Sequence, residues 1–429
     1  MSVSPGYDNL VEVNYRHNFI VNILDMNFFF LGYSFISTST ILPLFVSHIS
    51  DNKLLIGLIG MISATGFFFP QLFTANWVER TPIKLDIVVK IGIFTERLPL
   101  FILPLSAIVA PLYPILSLTM FYLLFAWHNF GAGATAVAWQ DMVAKVIPMD
   151  RRGLFMGLGT FGGTATGVFG AIIAAKFLDL YEFPSGYVIC FALAGLFILI
   201  SWFFLRLTRE VPSEKPEEHT SNKEYFRKLP AILKQDSNFS WFLICQLILS
   251  FGGMAWGFLA VFAVDRWQLS DGYVGTFNSA LLIGQSIGNL LFGIIGDRKG
   301  YKIVILGSTL VAVVALVLPL FVVNPAWFYL VFGLRGVSLG GIFMTMLLVM
   351  EFSKPEIRPT YIGISNTTLG AAGIFAPLIG GFLAQQYGYE SLFIVATILT
   401  VIGLFLFVFM VREPRKNAVL QDSTLPDVS

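Results

Sequence analysis

Charge is scarce in this chain. Of its 429 residues only 12% are Asp, Glu, Lys or Arg, while 56% are hydrophobic and the mean hydropathy is +0.77. No soluble domain needs so much apolar surface. The net charge of +1 comes with no basic tail and no interleaving of basic and aromatic residues, so nucleic acid is not an expected partner. Cysteine is almost absent. Cys190 and Cys245 both lie in apolar runs without metal-ligand spacing, and are expected in the core or facing lipid. No nucleophile–base pair, phosphate-binding loop or metal cluster stands at useful spacing, so neither an enzyme nor a cofactor is expected. Residues 1–18 are mostly polar and the first apolar run is too long for the core of a signal peptide, so no cleaved leader is expected.

What is present is a series of long apolar runs, each able to cross a bilayer, which takes about 20 residues. Twelve spans are predicted: 20–46, 54–77, 85–109, 112–137, 153–177, 185–207, 238–264, 272–296, 303–323, 326–350, 361–384 and 391–411. Lys and Arg fix their direction. One set of loops holds 21 of them, and the opposite loops hold only Lys53, Lys176 and Arg266. That bias predicts that both termini are cytoplasmic and that the protein resides in the cell membrane. The division predicted is an N-terminal six-helix half over 1–207, a cytoplasmic linker over 208–237, and a C-terminal half over 238–429 with a short tail. Linker composition centres on Pro212–Glu218. Tyr225, Phe226, Leu229 and Ile232 beside Arg227 and Lys228 would suit either a helix lying on the membrane surface or a plain flexible connector.

The turn between spans 8 and 9 reads Gly293-Ile294-Ile295-Gly296-Asp297-Arg298-Lys299-Gly300-Tyr301-Lys302. Gly300 permits a sharp reversal. Gly293 and Gly296 would let a neighbouring helix approach. Asp297 is badly placed at the C-terminus of its own helix and better placed facing the N-terminus of another. This string, Gly-x-x-x-Asp-Arg-x-Gly-x-Lys between two spans, resembles the loop signature of the major facilitator superfamily. A degenerate copy lies 218 residues earlier, with Glu79 for Asp297, Arg80 for Arg298 and Lys84 for Lys302. His128–Gly133 aligns with Arg335–Gly340, and Arg152–Gly157 with Arg358–Gly363, at shifts of 207 and 206. The chain thus repeats itself as two related halves.

The resemblance implies an all-α membrane protein of twelve transmembrane helices in two pseudo-symmetric six-helix halves. It also implies that spans 1, 4, 7 and 10 line a central cavity, that spans 2, 5, 8 and 11 form the seam, and that the rest face lipid. Asn278, Gln285, Asn289, Gly293 and Gly296 share one face of span 8, as a sliding seam would need. By the same resemblance a cytoplasmic gate is expected from Glu79, Arg80, Lys84, Arg152, Gly293, Asp297, Arg298, Gly300, Lys302 and Arg358. In it Asp297 would face the start of span 5 near Gly153 and Glu79 that of span 11 near Thr360. The arginines would pair with acids such as Asp141, Asp150, Glu351 and Glu356. Span 5 departs from the family's antiporter signature: Gly157–Gly170 is glycine-rich but has no proline, and the nearest form, Ala376–Gly381 with Pro377, is in span 11.

Charges inside spans are the sharpest functional clues, because each costs about 2.5 kcal/mol or more unless paired or hydrated. Asp25 in span 1, with Asn22 on its face, is a candidate proton carrier. Desolvation disfavours an embedded carboxylate's charged form, so alternate hydration and burial would release and bind a proton. His128 with its neighbour Asn129 in span 4, and Arg335 in span 10, occupy matching positions on the implied cavity helices. His128 would modulate Asp25 if the two approach, and Arg335, which keeps its charge, would hold substrate. The alternative for all three is that they are buried hydrogen-bonding residues that hold helices together. Gln246 and Trp256 in span 7 are further cavity candidates. Glu96 and Arg97 in span 3 read as a structural ion pair, and Asp86 with Lys90 as a surface pair. The function expected is alternating-access transport of a small organic solute by a monomer in the bilayer, with protons as coupling ion, and export of amphipathic compounds as first candidate. Uptake of a sugar or organic anion is the alternative, as is a lipid flippase or a non-transporting sensor on the same fold.

Overall fold

The computed structural model describes residues 5–148, 151–212, 233–352 and 358–414. Its helices are α1 Pro5–Ser34, α2 Ile41–Ile49, α3 Lys53–Arg80, α4 Lys84–Val109, α5 Pro114–Val146, α6 Arg152–Leu180, α7 Ser185–Leu205, α8 Ser237–Gly252, α9 Leu259–Trp267, α10 Gly272–Lys299, α11 Tyr301–Phe321, α12 Trp327–Glu351 and α13 Arg358–Met410. Ten helices among the described residues are long and apolar enough to cross a membrane. One of them, α13, contains Gly388 at φ 82°, a conformation that favours glycine, where spans 11 and 12 part. With α1 and α2 as the first span, these make the twelve transmembrane helices of an all-α membrane protein. The candidate surface helix at 225–232, and Asp150, Lys354 and Glu356, lie outside the described residues.

Three spans are not the plain helices the sequence predicts. The first is broken between Ser34 and Ile41, across Ser37-Thr38-Ser39-Thr40, hydroxyl side chains that compete with the helix for backbone partners. Pro43 follows in the first turn of α2, where its missing N–H costs nothing. The seventh span is interrupted by a 3-10 stretch, Gly253–Phe258, at Gly252, Gly253 and Gly257. In α4 two π-helical turns, Ile87–Ile91 and Ile93–Arg97, precede Pro99. That proline cannot donate to the Thr95 carbonyl, which is left outside the regular ladder.

The chain forms two compact units, residues 1–218 with 257–282, and residues 219–256 with 283–429. In the first, α1 packs on α6 and α7, α3 on α5, and α9 on α2. In the second, α8 packs on α13, and α11 on α12 and α13. Both units contain a backbone-to-backbone seam made by glycine. In the first, a Cβ on Gly133 would overlap the Gly66 carbonyl, and one on Gly66 would lie 2.6 Å from Asn129 Cβ. In the second, Gly284 meets the Gly333 carbonyl and Gly340 the Gly288 backbone. Gly66 and Gly284 differ by 218, and Gly133 and Gly340 by 207, the shifts of the sequence repeat.

Candidate functional site

The first unit buries several polar groups within its helices. Asp25 of α1 is 4% exposed, and its Oδ1 accepts a hydrogen bond from Ser201 Oγ of α7 at 2.6 Å. Glu96 and Arg97, on the second π-turn of α4, form an ion pair and are equally buried. Thr135 Oγ1 of α5 donates to Glu96 Oε2 at 3.2 Å. His128 is 1% exposed and uses both ring nitrogens. Nδ1 donates to the Glu96 carbonyl at 2.7 Å, and Nε2 is joined to the Tyr33 hydroxyl of α1. No hydrogen bond joins His128 to Asp25 among the described residues.

The other first-unit candidates lie elsewhere. Asn22 is fully buried and donates to the Asn18 carbonyl and to Thr208 Oγ1 at 3.0 Å, tying α1 to the segment after α7. Asn129 donates within its own helix to the Phe125 carbonyl at 2.7 Å. In the second unit, Gln246 of α8 and Ser365 of α13 share a buried hydrogen bond at 2.9 Å. Arg335 of α12 lies with its guanidinium carbon 4.2 Å from the centroid of the Trp256 ring. Its Nε is buried and has no hydrogen-bond partner, and no carboxylate pairs with it among the described residues.

At the end of the first unit where α3 meets α4, Lys84 Nζ pairs with Asp141 at 3.2 Å and also donates to the Val78 carbonyl. Glu210, just after α7, accepts from the backbone N–H groups of Lys84 and Leu85 at 3.0 and 2.6 Å and pairs with Lys145 at 3.1 Å. A carboxylate there satisfies the orphan donors of a helix start and complements its dipole. The second unit repeats the device. Glu413 accepts from Lys302 N at 3.0 Å and packs where Gly300, at φ 91°, has no side chain. These glutamates escaped the sequence reading. Their signal was the twin dipeptide Arg209-Glu210 and Arg412-Glu413, each closing a half. Arg152 departs from expectation, since it donates to the Ala144 and Ile147 carbonyls rather than to an acid. Gly293 departs as well, because a Cβ there would meet nothing within 4 Å. Gly296 faces Tyr301 and Val304 of the next helix. Arg298 is exposed, and the side chains of Glu79, Arg80, Asp297 and Arg358 lie outside the described set.

The opposite end of the first unit is closed by another cluster. His48 at the end of α2 pairs with Asp271 at 2.6 Å, and Tyr187 of α7 donates to the same carboxylate oxygen at 2.9 Å. Phe183 stacks on the imidazole at 4.9 Å. Ser270 donates to Asp179 at 2.6 Å, and Gly272 leaves room for that carboxylate. Asp271→Asn weakens both bonds of the first carboxylate at once, each a bond to a charged group worth about 1.5–3 kcal/mol. The expected result is faster amide hydrogen exchange in 41–49 and 272–280 with α5 unchanged. Unaltered exchange in both segments would show that the cluster does not hold this end closed.

The model of the Major Facilitator Superfamily matches residues 24–265 and 242–424. The chain belongs to this superfamily. A mouse protein, MFS-type transporter SLC18B1, is 26% identical over 282 residues, covering 61% of this chain and 58% of that protein, so the chain spans little over half of it. The benzoate transport protein of Acinetobacter baylyi is 21% identical and covers 90% of this chain and 87% of itself. Among solved structures, a point mutant of the nucleoside transporter NupG superposes with a TM-score of 0.71 at 14% identity, over 91% of this chain and all of that one. The superfamily member described here is a multi-pass membrane protein built as two pseudo-symmetric six-helix halves.

Proposed function

We propose that this transporter carries an organic anion with an aromatic or otherwise apolar body, by alternating access and coupled to protons. The observation that carries this reading is Arg335. Arg335 is half-buried and its Nε is shut off from water with no counter-charge beside it among the described residues, an arrangement whose desolvation is not repaid. A carboxylate on the substrate supplies that charge and can engage the guanidinium fork bidentately. Trp256 beside it offers a ring face to the rest of such a molecule. The relative named for benzoate transport supports this class of substrate. Asp25, buried and bonded to Ser201, is the proton carrier in this reading. The protein acts as a monomer in the cell membrane with both termini cytoplasmic.

Two measurements test it. Proteoliposomes are expected to accumulate labelled benzoate when a pH gradient is imposed and to ignore benzamide, its uncharged analogue. Equal uptake of the two, or of neither, sinks the anion reading. For orientation, a cysteine replacing Lys299 should react only with reagents on the cytoplasmic side and one replacing Lys53 only from outside. Reaction of position 299 from outside intact cells would overturn the topology.

A further inference from the structure

Two broken spans meet at the end of the first unit that holds His48. α2 is the short piece that follows the break after Ser34, and α9 the short piece that follows the 3-10 stretch Gly253–Phe258. The two pack on each other, although α9 and the start of α10 come from the second half of the sequence. A break at the base of each piece uncouples it from the rest of its span. One oxygen fastens their tips. Asp271 Oδ2, just before α10, is 2.6 Å from His48 Nε2 and 2.9 Å from the Tyr187 hydroxyl. Two donors on one oxygen is the arrangement of an ionised carboxylate. Phe183 stacks on the imidazole at 4.9 Å and Tyr187 meets it edge-on at 5.7 Å, which holds Nε2 towards the acid.

The neighbouring ionisable groups have other places. From α6, Asp179 accepts from Ser270. From α7, the Cys190 thiol is buried one turn beyond Tyr187, and Glu182, ahead of the helix, is exposed. From α9, Asp265 and Arg266 are exposed, and Arg266 lies over the Trp267 ring at 5.4 Å. After α2 itself, Asp51 is exposed and Lys53 opens α3. The side chains of His48 and Asp271 are 32% and 17% exposed, so water reaches the pair and can exchange a proton with it. Histidine is the side chain whose charge ordinarily changes between pH 5 and 8. Protonated, His48 gives Asp271 an opposite charge and a charge-assisted bond. Neutral, it offers only a plain hydrogen bond if the proton stays on Nε2. If the proton stays on Nδ1, it sets a lone pair against the carboxylate.

We propose that His48 makes the closing of this end proton-dependent. Its imidazolium form ties α2 to the start of α10, and loss of one proton to water loosens them, with no other bond changed. In the proposed orientation this is the outer face, and an acidic exterior fastens it. The inference rests on the alternating-access reading only in taking this end as one that must open, and it assigns no new role to Asp25.

Hydrogen exchange on the lipid-reconstituted protein at pH 5.5 and pH 8 tests it. The rate in 41–49 and 272–280 is divided by the rate in α5, so that the intrinsic pH dependence of exchange cancels. In wild type the ratio should be about three- to tenfold higher at pH 8. That is the margin between a charge-assisted and a neutral hydrogen bond, reduced by screening at partly exposed side chains. His48→Gln keeps a donor and cannot titrate, so its ratio should be the same at both values. His48→Arg is charged at both, and should stay as protected at pH 8 as wild type is at pH 5.5. Tyr187→Phe should exchange faster throughout and keep the pH response, because it removes a bond that does not titrate in this range. A wild type whose ratio ignores pH, or a His48→Gln protein that responds as wild type does, overturns the proposal. Should His48→Gln fail to fold, a wild-type response in His48→Arg is equally fatal. Uptake of labelled benzoate by the same vesicles separates this inference from the transport reading. Vesicles that take up none, while the exchange ratio still follows pH through His48, defeat that reading and leave the latch standing.

Discussion

Arg335→Gln should abolish anion uptake while leaving the protein folded. Truncating one partner of a buried, hydrogen-bonded charge pair costs about 2–5 kcal/mol, roughly a 30-fold to several-thousand-fold loss of affinity. The same change removes from the empty protein a half-buried cation whose buried Nε has no partner among the described residues. The melting temperature should therefore hold or rise, which no purely structural role for Arg335 would give. Trp256→Leu should cost less, about 0.5–2 kcal/mol, because it removes the ring beneath the guanidinium and keeps the charge. Uptake of labelled benzoate per folded molecule, with a thermal melt on the same preparation, makes the comparison. A variant that melts earlier and still transports at the wild-type rate would make Arg335 a packing residue.

Gly131→Val should eliminate folded protein. A Cβ on Gly131 would overlap the Thr95 carbonyl and stand 2.9 Å from Glu96 N, so α5 rests directly on the backbone of α4. Backbone atoms cannot swing aside as a side chain does, and the two helices would have to part. That would break the His128 bond to the Glu96 carbonyl and the Thr135 bond to the Glu96 carboxylate together. Damage of this kind belongs to the exceptional class, above about 4 kcal/mol. Gly157→Val is the control, since a Cβ there meets nothing within 4 Å. Size-exclusion profiles from small-scale expression should show a single peak for the control and none for Gly131→Val. A well-folded Gly131→Val would mean that α4 and α5 are further apart than described.

The spans were legible because hydropathy sums over about twenty residues and tolerates error at any one of them. Their breaks were not. The stop after Ser34 depends on hydroxyls competing for backbone partners, and the π-turns of α4 depend on what α5 lays against them. Neither is a property of the local window. The same reason explains Glu96 and Arg97. As neighbours in sequence they read as a self-contained pair. Only folding shows that Thr135 and His128 hold Glu96 from another helix. Asp25 and Arg335 were legible as isolated charges in apolar runs, where the energetic penalty itself is the signal. Trp256 beside Arg335 was not, because nothing in the sequence measures the separation of two helices. Glu210 and Glu413 could have been found by extending the repeat to the end of each half.

The glycine seams of the two units have a mechanical consequence. Where Gly133 lies on Gly66, and Gly340 on Gly288, no side chain stands between the helices to change rotamer or to yield. Such a pair is stiff and transmits a push at one end undiminished to the other, as a lever does. Compliance is concentrated elsewhere, in the 3-10 stretch Gly253–Phe258 and the two π-turns of α4, where the hydrogen-bond ladder is already irregular. Spin labels placed one on α3 and one on α5 should keep a narrow, unchanging separation throughout the transport cycle, whereas a pair straddling residues 253–258 should broaden.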